Sequence, residues 1–139
     1  MTISAIILAA TLGMAAQAND EASLTVTVEG LAPQGAVMLA IYGSEEAWAG
    51  SGDPVEGRRA TVEDDMVTIE FATLPAGEYA IRLYHDVDGD GELDTNLMGI
   101  PSEPFGFSNN ARGRFGPASW ADAVFTVTAG ANTQIVDLH

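Results

Sequence analysis

The sequence predicts an all-β protein: a single antiparallel β-sandwich of about seven strands with one long loop. Three observations carry this. Apolar residues recur with period two through most of the chain from Ser23 onward, the pattern of half-buried strands. Turn signals rich in Gly and Pro punctuate these runs at short intervals. A length of 139 residues with 47% hydrophobic content allows one domain with one core.

The chain begins differently. Residues 1–18 carry no charged side chain and end in Ala16-Gln17-Ala18, the small-x-small pattern of a secretory signal cleaved after Ala18. No Lys or Arg precedes the apolar run, which departs from the usual charged start. The run is short for a membrane span of about 20 residues and lacks basic flanks. Residues 19–139 are therefore expected to be the β-sandwich domain, exported to the periplasm or secreted, with no membrane span once the signal is removed.

The elements follow in order. Leu24, Val26 and Val28 alternate with Thr25, Thr27 and Glu29, and after turn residues 30–35 come Val37, Leu39 and Ile41. Ser44 caps a short helical segment, Glu45–Ala49, whose two acids sit at its positive end. Trp48 then folds back to pack on the core. A weaker strand spans 55–62, followed by Val67, Ile69 and Phe71, the turn Pro75-Ala76-Gly77, and then Tyr79, Ile81, Leu83 and His85. Ala123, Phe125 and Val127 form another run, and the last strand lies within 133–138 after the turn at 129–131.

Charge narrows the function. Twenty acids against five basic residues, all five of them arginine, give a formal net charge of −15, which repels a phosphate backbone and excludes nucleic acid as a partner. The absence of cysteine removes thiol catalysis, thiolate metal sites and disulfides.

The connection from Asp86 to about Asp122 has no clear strand pattern, and loops beyond about 15 residues in a compact domain usually carry a function or are held by something other than a ladder. It opens with Asp86-Val87-Asp88-Gly89-Asp90-Gly91-Glu92-Leu93-Asp94. Side chains at loop positions 1, 3 and 5 (Asp86, Asp88, Asp90) converge on one point. Gly91 permits the sharp turn, the Glu92 carbonyl faces inward, and Asp94 ligates directly or through water. An all-oxygen, highly anionic set suits calcium rather than zinc or copper. Position 12 is Leu97, where an EF-hand carries its bidentate Glu, and the preceding segment alternates like a strand, so this is no EF-hand pair. Asn96, Glu103 and Asp122 are the candidates to complete the ligand set, and the spacing does not choose among them. An incomplete set predicts a weak site, on the order of 10⁻⁴–10⁻³ M. The competing reading is an Asp/Gly-rich turn without an ion.

The run YHDVDGDGELDTN, then GIP, then GFSNNARGRFGP, then Trp120 to Phe125 resembles the bacterial Domain of Unknown Function 2141 family. The likeness extends back through Leu74-Pro75-Ala76-Gly77-Glu78-Tyr79 to Leu24. Relative to the family pattern the loop here is more acidic, and Ala118 stands where a second proline is common. The resemblance implies an exported sandwich related in architecture to immunoglobulin-like or transthyretin-like domains, and it implies no activity.

Phe105, Phe107, Phe115 and Trp120 either pack over one end of the sandwich or form an aromatic ligand-binding surface with Asn109; packing is favoured, because a long loop needs apolar contacts to stay ordered. Arg112 and Arg114 either pair with the aspartate loop or clamp an anionic ligand through their forked donors, and pairing is favoured on so acidic a chain. His85, with Asp86 as its orienting acid and Ser108 as nucleophile, outlines a hydrolase-like alternative, but no nucleophile elbow, HExxH or phosphate loop accompanies it. The expectation is a non-enzymatic exported module that binds calcium and engages an unknown ligand or envelope protein. A purely structural envelope component is the remaining alternative.

Overall fold

The computed structural model describes residues 21–89, 103–114 and 116–138. Among these residues eight strands follow one another: β1 (Glu21–Glu29), β2 (Ala36–Tyr42), β3 (Glu56–Thr61), β4 (Met66–Pro75), β5 (Gly77–Asp86), β6 (Phe105–Phe107), β7 (Phe125–Val127) and β8 (Gly130–Asp137). They form two sheets. One has the order β4-β1-β8, and the other has β3-β2-β5-β6 with β7 pairing the first residues of β5. This is the expected sandwich, with β6 as the strand beyond the seven.

Period-two alternation places one side of each strand inward. Leu24, Val26 and Val28 of β1 are fully buried and meet Val37, Leu39 and Ile41 of β2, Ile81 and Leu83 of β5, Phe71 of β4 and Val136 of β8 in one core cluster. Burying each such side chain contributes about 1.5–3 kcal/mol. At the seam between the sheets the Arg58 guanidinium lies 4.4 Å from the centre of the Phe71 ring and its Nη1 donates to the Glu70 carbonyl at 2.8 Å. Arg58 also forms an ion pair with Glu56. The crossing from β4 to β5 is pinned by the Tyr79 hydroxyl, which donates to the Pro75 carbonyl at 2.6 Å. Burial raises the Tyr79 pKa above its ordinary value.

Three features differ from the sequence expectation. The first and last described strands, β1 and β8, pair in parallel, Ala22 with Gly130 through Glu29 with Asp137, where antiparallel pairing was expected throughout. Ala123 belongs to a one-turn helix, Trp120–Ala123, because Ser119 accepts from the Asp122 amide and caps it. The 86–122 connection contains a strand, β6, in its described part.

The helical segment near Trp48 forms as predicted. Ser44 Oγ accepts from the Ala47 amide at 3.2 Å, and the last residues open into a wide turn, Ala47–Ser51. Trp48 is buried in a second apolar cluster with Phe107, Ala111, Ala118 and Ala123, and its Nε1 donates to the Ala118 carbonyl at 2.9 Å. Tyr42, Phe107 and Trp120 meet it edge to face, at 5.4, 6.0 and 6.4 Å between ring centres.

Candidate metal centre

The last residue of β5 is Asp86, 1% exposed although it is a carboxylate. Two residues on, Asp88 stands exposed, and Glu103, 7% exposed, arrives just before β6. A carboxylate oxygen from each lies within 4.8 Å of the other two. The chain is held here by one side-chain and one backbone hydrogen bond. Glu103 Oε2 accepts from the Val87 amide at 2.8 Å, and the Pro104 carbonyl accepts from the His85 amide at 2.8 Å. Beneath them the chain passes at Gly35, whose φ of +67° lies in the left-handed region. A Cβ there would collide with the Asp86 carbonyl, so only glycine allows the β1–β2 turn to lie against the end of β5.

Of the five acids expected to form the cation loop, Asp86 and Asp88 are thus brought together. Asp90, Glu92 and Asp94 lie outside the described residues, as do Phe115 and the leader 1–18. Of the three candidates for completing the set, Glu103 is placed beside Asp86 and Asp88, Asp122 is not in that group, and Asn96 lies outside the described residues. All donors are carboxylate oxygens, a hard set with no imidazole, which fits calcium and does not select zinc or copper. Three carboxylates this close repel one another by about 3 kcal/mol per pair at an effective dielectric of about 20, and a divalent ion relieves all three pairs at once.

The neighbouring candidates occupy other positions. His85 is 1% exposed and its Nε2 lies 2.6 Å from the Gln34 carbonyl, the hydrogen-bonded core-edge position expected of it. Ser108 is fully buried; its Oγ accepts from the Ile81 amide at 2.9 Å and donates to the Ala123 carbonyl. Since Ser108 bonds at Ile81 while His85 bonds at Pro104, the two are four β5 residues apart, about 13 Å at strand rise. They are not assembled as nucleophile and base.

Asn109 and Asn110 both adopt positive φ, 61° and 53°. The Asn109 amide group donates to the carbonyls of Asp122 and Val124, at 3.2 and 2.8 Å. Asn110 Oδ1 accepts from the Asp137 amide at 2.9 Å. The Ser-Asn-Asn run is thereby a staple joining β5, β8 and the one-turn helix, a role its turn-prone composition alone did not reveal. Phe107 is buried and Phe105 half-buried beside it, their ring centres 5.9 Å apart. Arg112 and Arg114 are exposed, and Asp90, Glu92 and Asp94 of the aspartate loop, with which pairing was favoured, lie outside the described residues.

At the far end of β1, Glu29 stands in register with Asp137 of β8. A hydrogen bond with the Asp137 carboxyl, then desolvation and the charges of Asp137 and Asp65, raise its pKa above the ordinary 4.5.

Fold and geometry together define an all-β sandwich with an acidic, oxygen-only corner where β5 ends and β6 begins. The chain belongs to the DUF2141 family of uncharacterised proteins conserved in bacteria, whose pattern it matches over residues 26–136. Neither a curated protein nor a solved structure matches it.

Proposed function

We propose that this protein is an exported, non-enzymatic β-sandwich that binds one calcium ion through Asp86, Asp88 and Glu103, and that acts as an interaction module at the cell envelope. The observation that carries the reading is the mutual approach of three carboxylates within 4.8 Å, two of them buried. Buried carboxylates gathered without a cation are costly, and calcium takes six to eight oxygens from such groups, backbone carbonyls and water. Asp90, Glu92 and Asp94 follow in the sequence at the spacing from which further oxygens are expected. The ion braces the start of the long connection against β5, so that the loop end of the sandwich is ordered for a partner. Export rests on the apolar leader and its Ala16-Gln17-Ala18 ending.

Calorimetric titration with calcium tests the ion site. One ion per chain, a dissociation constant on the order of 10⁻⁴–10⁻³ M and a melting temperature raised in calcium and lowered in chelator are expected. No heat and an unchanged melt at millimolar calcium would overturn it. Mass spectrometry of the protein from fractionated cells tests export, with Asn19 expected as the first residue.

A further inference from the structure

We propose a second site, independent of the cation centre: the turn Arg112-Gly113-Arg114 recognises a phosphate monoester. The chain has only five basic residues, and their uses differ. Arg58 is spent on Glu56, the Glu70 carbonyl and Phe71. Arg82 is enclosed, 4.8 Å from the Tyr42 ring centre and 4.1 Å from that of Trp48, with Nη2 donating to the Trp48 carbonyl at 2.8 Å. Arg59 is exposed by itself on β3. Arg112 and Arg114 are both exposed, and among the described residues neither makes an ion pair or a hydrogen bond.

The turn that presents them is held at both ends. Ala111 and Ala118 are buried in the second apolar cluster, the Ala111 amide donates to the Ser108 carbonyl, and the Ala118 carbonyl is bound by Trp48 Nε1. Between them the chain folds back on itself so closely that a Cβ at Gly113 would collide with the Gly116 carbonyl. Side-chain order is thus not needed to keep the two arginines together. Their Cα atoms are at most about 7 Å apart.

Two long guanidinium side chains two residues apart on one turn can both reach one doubly charged, many-oxygen anion. A phosphate monoester carries about −1.5 to −2 charges and three acceptor oxygens, enough to engage both forks, whereas a carboxylate has one charge and two oxygens. With a net charge of −15 distant anions are repelled, so recognition is short-range and requires the double fork.

The test uses the purified full chain in chelator, so that no bound cation bridges to phosphate. With five arginines, the side-chain Nε–H spectrum is readily assigned using R112Q and R114Q. Titration with inorganic phosphate at constant ionic strength is expected to move the Arg112 and Arg114 signals saturably. The double variant R112Q/R114Q should weaken binding by about tenfold or more, with an unchanged melt. Sedimentation with phosphatidic acid vesicles, against phosphatidylcholine vesicles, separates the sources. Arginine-dependent sedimentation assigns a lipid phosphate, and binding of free phosphate alone assigns a soluble ester. Equal signal movement with acetate, or no arginine-dependent binding in either arm, would overturn the proposal.

Discussion

Replacing Glu103 by Gln separates a cation site from a merely polar turn, because its effect on stability depends on whether calcium is present. The Gln side-chain oxygen can still accept from the Val87 amide, so the 2.8 Å bond survives while one charge is lost. In chelator the substitution removes two of the three repulsive pairs lying within 4.8 Å. Each is worth about 3 kcal/mol at an effective dielectric of about 20 and under 1 kcal/mol in water. Because Asp88 is exposed, screening brings the net gain to about 1–2 kcal/mol, so the variant melts higher than the parent by roughly 3–8 °C. In about 10 mM calcium the parent gains more than the variant, which narrows or closes the gap. A parent constant of 10⁻⁴–10⁻³ M gives about 1.4–2.7 kcal/mol of added stability, while a tenfold weaker variant gains only about 0.4–1.4 kcal/mol. Thermal melts of both proteins in chelator and in calcium, four curves in all, read both effects. A variant that melts lower in chelator, yet gains the same increment from calcium, would refute the reasoning.

Other outcomes follow from the same geometry. Ser108→Ala leaves the buried Ile81 amide without its acceptor and should cost about 1–3 kcal/mol in urea unfolding, with calcium affinity unchanged. Gly35→Ala forces a side chain into the left-handed region and against the Asp86 carbonyl; a loss of about 2–4 kcal/mol and at least a tenfold weaker calcium isotherm are expected. For Glu29 the pKa is raised in the folded protein, so its contribution is fully present below the ordinary 4.5 and is lost as pH rises through the folded value. Glu29→Gln, which keeps a hydrogen-bond partner for Asp137 without the charge, should therefore match the parent at low pH and melt higher at pH 7.

Much of the fold was legible because alternation is a local signal. Leu24, Val26 and Val28 announce an inward face without reference to any other strand, and the helical turn at Trp48 is written in Ser44 and the acids after it. Parallel pairing of β1 with β8 was not legible, since no turn chemistry joins strands so distant in sequence. The three residues of β6 are too few to show a period, and they follow Pro104. At the candidate site, Asp86 and Asp88 were visible from spacing, whereas Glu103 stood level with Asn96 and Asp122 until tertiary structure brought it beside them. The Glu29–Asp137 contact is likewise a product of register between the first and last described strands.

That register also governs how the protein comes into being. The middle strand of the three-stranded sheet is the first of the described strands to emerge from a ribosome, and one of its two neighbours is the last of them. Loop closure over roughly a hundred residues must precede the β1–β8 ladder, which makes the sheet late and the folding slow for a chain of this size. Until β8 arrives, β1 can hold only β4, leaving Val26 and Val28 only partly covered. Vectorial synthesis thus leaves the three-stranded sheet unfinished until β8 has been made.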